Sequence, residues 1–189
     1  MAKDDWRREG NLEYMHQNQP ETCGYCCIAN ILYLHGKGKN SVIAIKKKAK
    51  EVDPNRAIPV EANELSPGAI ALPGLFTPTV DRGTVGKHVA KVLTDGFNYK
   101  SQWHSAGAKQ AMMRGTPIII GVDWTGGGGH WVVVASRKAH GLFSFSRKST
   151  YTIIDSCAGY VEIKGKKNYN PQYGGNGIVA DDYVSVLIV

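Results

Sequence analysis

Gln17-Asn18-Gln19-Pro20-Glu21-Thr22-Cys23-Gly24-Tyr25-Cys26-Cys27-Ile28-Ala29-Asn30-Ile31-Leu32-Tyr33-Leu34 is the stretch from which the fold follows. Its first six residues are polar and include a proline; from Cys23 onward it is apolar nearly all round. Thr22 is a candidate N-cap and Gly36 a C-terminal stop, so the pattern predicts a helix over 23–34, buried in a core. Cys23 then stands in the first turn, where the helix dipole and unpaired N–H groups favour an anion.

A second informative stretch lies more than a hundred residues downstream. Gly126 to Gly129 are four consecutive glycines, followed by His130-Trp131-Val132-Val133-Val134, the pattern of a buried strand. Tyr151-Thr152-Ile153-Ile154 is another apolar run, and Asp155 closes it. The remaining chain falls into helices first and strands second. Helical spacing predicts helices over 42–52, 84–93 and 105–114. β-branched runs predict strands over 117–122, 130–136, 150–154, 160–163 and 183–189. Residues 54–83 hold five of the eight prolines and are expected to be loop. Residues 1–16 are expected to be a loosely ordered lead-in. That segregation predicts an α+β fold, a central N-terminal helix packed on an antiparallel sheet, in a single domain over 1–189.

Composition narrows the class. With 42% apolar residues in 189, the chain is long enough for a real core. No apolar run is long enough to cross a membrane as a helix. The charged start, Met1-Ala2-Lys3-Asp4-Asp5-Trp6-Arg7-Arg8, is unlike a secretory signal, which leaves the cytoplasm or a specialised export route as the expected setting. Four cysteines, three of them within five positions, do not make a disulfide scaffold. The formal charge of +7 comes from scattered lysines and arginines, so no specific nucleic-acid partner is expected.

Gln17, Cys23, His130 and Asp155, in that order, are the residue types of thiol-based acyl transfer. A cysteine attacks a carbonyl as its thiolate, and a neighbouring imidazolium stabilises that form. The Gln17 amide and the Cys23 backbone N–H could converge as two donors on a developing oxyanion. Asp155 would fix the tautomer of His130. Gly24, Gly128 and Gly129 would let a substrate backbone approach closely, and Trp124 could line its groove. No metal or organic cofactor enters this chemistry.

Gln17-x5-Cys23-Gly24, the run from Gly115 through His130 to Val134, and Ile153-Ile154-Asp155-x4-Tyr160 together resemble the papain-like cysteine peptidases. The bacterial branches are the most similar: peptidases that cut double-glycine leader peptides, and papain-like effector or toxin proteases. The resemblance covers about residues 15–36 and 115–163. It implies Cys23 as nucleophile, His130 as base, Asp155 as orienter and Gln17 as oxyanion donor. It also implies a protein or peptide substrate and, for a toxin, an immunity or inhibitor protein in the producing cell. Thr22 stands where the leader-peptide branch commonly has an acidic residue. Cys26 would match the second cysteine of plant-type relatives, but only Cys23 has a glutamine six residues before it.

Other readings of the same residues stay open. Cys23, Cys26, Cys27 and Cys157 with a histidine could hold zinc, or Cys23 and Cys26 could form a redox pair. Cys26, Cys27 and Cys157 could be small core fillers. Asp155 could cap the turn that follows it, with Asp123 as the competing carboxylate. The fold could serve as a non-catalytic binding module, a deamidase or transamidase, or a cell-wall peptide amidase.

Overall fold

The computed structural model describes residues 5–17, 21–56, 82–139, 149–164, 168–169 and 176–188. Most of the proline-rich stretch expected to be loop lies outside these, as do His140 and Gln19. The architecture is α+β, as the sequence predicts. A hairpin, β1 (Asp5–Glu9) and β2 (Leu12–His16), comes first. Helices α1 (Cys23–Leu34), α2 (Val42–Val52) and α3 (Arg82–Lys91) follow, the last continuing into a π turn over Val92–Gly96. Strand β3 (Tyr99–His104), helix α4 (Ala108–Arg114) and strands β4 (Ile118–Trp124), β5 (Gly129–Lys138), β6 (Thr150–Asp155), β7 (Gly159–Lys164), β8 (Asn168–Tyr169) and β9 (Gly177–Ile188) follow among the described residues.

The large sheet is antiparallel throughout, in the order β3-β9-β4-β5-β6-β7, with β8 also paired to β9. Both faces are covered. Ile119, Trp131, Val133, Ile154 and Val184 point into a core shared with α1, α2 and α3. Ile118, Ile120, Val122, Val132, Val134 and Ile153 point the other way, into a core with Ala108 and Met112 of α4. Successive strand residues alternate between faces, so a sheet buried on both sides reads as continuous Ile-Ile-Ile and Val-Val-Val.

Helix α1 is buried from Cys23 to Leu32 and lies against β5. Its position follows from its lack of a polar face. A buried chain of polar groups joins it to the neighbouring helices. The Tyr25 hydroxyl meets His88 Nε2 at 2.9 Å, and His88 Nδ1 meets Asp53 Oδ2, at the end of α2, at 3.0 Å. Ser41 caps α2, its hydroxyl accepting from the Ala44 N–H at 3.1 Å.

Two expectations need correction. Residues 5–16 are not a loosely ordered lead-in. Met15 is fully buried and Tyr14 nearly so, each side chain contributing about 1.5–3 kcal/mol of burial that a loose segment would forgo. The Asn30 side chain of α1 accepts the Met15 N–H at 2.8 Å. Thr22, in turn, stands at the N-cap of α1 without a side-chain capping bond; its carbonyl accepts the Cys26 N–H at 2.9 Å.

Candidate active site

Antiparallel pairing puts the start of β5 and the end of β6 at the same end of the sheet. His130 is the second residue of β5, and Asp155 the last of β6. His130 Nε2–H donates to Asp155 Oδ1 at 2.9 Å, and both side chains are buried. The N-terminus of α1 arrives at the same place, where the Cys23 side chain is near enough to act on the His130 ring. Cys23 is buried with the rest of the first turn of α1, at 9% exposure. Asp123, the competing carboxylate, sits on β4 opposite Gly129, and Asp155 is the acid bonded to the histidine.

Burial alone would strip His130 of its proton. The bonds to Asp155 and Cys23, with their charges, outweigh it and lift the ring to about 10. Burial likewise pushes the Asp155 carboxyl up, and the bond and charge of His130, the Tyr169 hydroxyl and the Cys157 N–H together hold it below its usual value. An imidazolium and a carboxylate are therefore the stable forms of the pair.

The turn after β6 does more than orient the histidine. Asp155 Oδ1 also accepts the N–H of Cys157 at 2.8 Å and of Ala158 at 3.3 Å. Asp155 thus caps the turn and holds His130 with the same oxygen. Its Oδ2 accepts from the Tyr169 hydroxyl at 2.5 Å. The next two residues hold Gln17. The Gln17 N–H donates to the Ser156 carbonyl at 2.7 Å. Gln17 Oε1 accepts from the Ser156 hydroxyl at 3.2 Å and from the Cys157 thiol at 3.3 Å. With its oxygen engaged there, the amide turns its N–H₂ end elsewhere. The hairpin makes this contact possible, because β2 delivers Gln17 directly. It docks on the same turn through Glu9, which accepts the Tyr160 N–H at 2.9 Å. Gly159, at φ +86°, lets it approach, since a Cβ there would collide with the Glu9 carboxylate.

Trp124 lies over this constellation. Its ring stacks on His130 at 6.0 Å between centroids and leans on Tyr169 at the same separation. Gly126 to Gly128 form the β4–β5 turn, with open space where a Cβ would stand, and Gly127 and Gly128 have φ of +90° and +86°. Such angles favour glycine strongly, and the open space leaves this turn accessible beside His130. Gly129 is also exposed, whereas Gly24 is buried in the first turn of α1.

The other cysteines separate. Cys26 and Cys27 are buried in α1, and burial pushes both thiols far up, as inert core residues require. Cys157 is not a core filler: it is half-buried at the site, on Gln17. Among the described residues, His130, Asp155 and Cys157 offer ligand atoms within 4.8 Å of one another, whereas Cys23, Cys26 and Cys27 form no such group. Tyr169 and Ser156 are absent from the sequence-based site. Nothing local marks Tyr169; Ser156 and Cys157 are marked only by following Asp155.

No protein-family model and no curated protein matches the sequence. Solved structures do match. The peptidase domain of Streptococcus ComA, a bifunctional ABC transporter involved in quorum sensing, has a TM-score of 0.55 and 11% identity, over 92% of this chain and 96% of that one. The fold is that of a papain-like peptidase domain. A double-glycine motif protease from an AMS/PCAT transporter, solved with its leader peptide, is also similar, with a TM-score of 0.47 and 16% identity over 93% of this chain and 91% of that one. The papain-like fold accounts for the central helix with a cysteine in its first turn, set against an antiparallel sheet. Among the described residues, no helix is long and apolar enough to cross a membrane.

Proposed function

We propose that this chain is a papain-like cysteine peptidase that cleaves peptide bonds through Cys23, His130 and Asp155, with Gln17 as oxyanion donor. The observation that carries this reading is the buried His130, bonded through Nε2 to Asp155 at 2.9 Å, with the Cys23 side chain near enough to raise the ring's affinity for its proton. An imidazolium beside a thiol stabilises the thiolate, and the stacking of Trp124 on the ring limits its freedom to turn away.

The steps then follow from the residues. The Cys23 sulfur attacks the substrate carbonyl carbon, and the C–O π pair moves onto oxygen. The Gln17 N–H₂ and the Cys23 backbone N–H receive that charge. The oxyanion collapses, the C–N bond breaks, and His130 gives its proton to the leaving amine. A thioester remains. His130 then takes a proton from water, which attacks the thioester and frees the Cys23 sulfur. The open glycine turn and Trp124 would border the substrate.

The substrate is a protein or peptide, and the chain acts as a bacterial effector or toxin domain, whose producer would hold an immunity or inhibitor protein. Its basic charge and its papain-like fold support this setting. The test is a search for new N-termini in a bacterial or host proteome exposed to the wild-type protein or to Cys23→Ala. Wild type alone should generate them. A gain of about 1 Da at glutamine without chain scission would instead identify a deamidase and overturn the peptidase reading.

A further inference from the structure

We infer that His130, Asp155 and Cys157 form a binding site for a thiophilic divalent cation of the zinc class, which competes with catalysis for the histidine. The three ligand atoms lie within 4.8 Å of one another. Thiolate, imidazole and carboxylate are the donor set of tetrahedral zinc, whereas magnesium and calcium prefer oxygen alone. Zinc bonds of about 2.0–2.3 Å place tetrahedral ligand atoms about 3.3–3.8 Å apart. The widest separation here would close by about 1 Å, within reach of a rotation of the half-buried Cys157 side chain.

The surroundings are those of a metal site. Asp155 is held by the Tyr169 hydroxyl and by the Ala158 and Cys157 N–H groups, so this ligand is already oriented. His130 projects from a strand, under Trp124. Two ligands are buried and the third is half-exposed, giving the ion a route in from the Cys157 side. A water completes the coordination. Binding displaces the proton between His130 Nε2 and Asp155 Oδ1 and the proton on the Cys157 sulfur; both go to solvent. The metal thereby breaks the bond that orients His130 and detaches the thiol from Gln17. That it silences the enzyme rests on the peptidase reading; that it binds does not.

Cobalt(II) titration of the metal-free full chain tests the site directly, because thiolate-bound cobalt gives a charge-transfer band in the near ultraviolet. Zinc affinity is then read by competition with a chromophoric chelator, with magnesium as control. Wild type should bind one equivalent with the band, and magnesium should leave it unchanged. Cys157→Ser, a one-atom change in a half-buried side chain, should abolish the band and weaken zinc binding about tenfold or more. Cys23→Ser should keep both. Absence of the band in wild type, or a band lost in Cys23→Ser but kept in Cys157→Ser, overturns the proposal. None of these readouts involves turnover, so failure of the metal site and failure of the peptidase are distinguishable.

Discussion

Gln17 and Ser156, 139 residues apart in sequence, hold one another twice: the Gln17 N–H donates to the Ser156 carbonyl at 2.7 Å, and the Ser156 hydroxyl donates to Gln17 Oε1 at 3.2 Å. Asp155, next to Ser156, holds His130. One turn therefore positions the glutamine and the histidine together, so neither can shift without disturbing the other.

If Gln17 stabilises the oxyanion, Gln17→Ala should lower kcat by about a hundredfold or more and leave KM nearly unchanged, as for loss of one oxyanion donor. Ser156→Ala should cost less, about tenfold, because the Cys157 thiol still engages Oε1. Steady-state kinetics on a cleaved peptide measures both. A change confined to KM would remove Gln17 from the oxyanion site.

The His130–Asp155 pair makes stability depend on pH in a defined direction. His130 is raised from an ordinary 6.5 to about 10, so its contribution is complete below 6.5 and lost as pH rises through about 10. Asp155 is lowered from 3.8, so its contribution is complete above 3.8 and lost as pH falls through the folded-state value. The stability gap between wild type and Asp155→Asn should be largest between pH 3.8 and 6.5 and shrink on either side. Urea unfolding of the metal-free proteins at several pH values reads the gap. A gap that widens from pH 6.5 to 10 contradicts this assignment.

What the sequence makes legible follows the range of the interactions. The central helix can be read because α1 has no polar face, and β4, β5 and β6 because both of their faces are buried. Adjacent antiparallel strands then bring His130 and Asp155 to one end of the sheet. The hairpin is hidden because Asp5-Trp6-Arg7-Arg8-Glu9 has the composition of a solvated tail, and only its docking on Tyr160 and Asn30 reveals it. Strand β3 is hidden for a related reason: at the sheet edge it carries Lys100 and Gln102 outward, so no continuous apolar run marks it. Tyr169 reaches Asp155 from another strand, a contact that no local pattern encodes.

Tyr169→Phe removes one donor from a buried carboxylate. It should destabilise the fold by about 1.5–3 kcal/mol, the range for a bond to a charged group. Thermal or urea unfolding measures the loss; a variant as stable as wild type would show that the hydroxyl does not support Asp155.

Tyr25→Phe interrupts the buried link to His88 and Asp53 while leaving the ring in place. A cost of about 1–3 kcal/mol is expected, because His88 Nε2 loses its Tyr25 partner in the core. Turnover per folded molecule should stay near wild type, since the Tyr25 hydroxyl bonds His88 of α3. An unchanged unfolding midpoint would show that the link contributes nothing.

Thiol alkylation tests the central claim most directly. At pH near 6, with a chelator present, iodoacetamide should modify Cys23 first and leave Cys26 and Cys27 untouched, and His130→Ala should slow the Cys23 reaction sharply. Preferential labelling of Cys157, or a Cys23 rate indifferent to His130, would contradict the account.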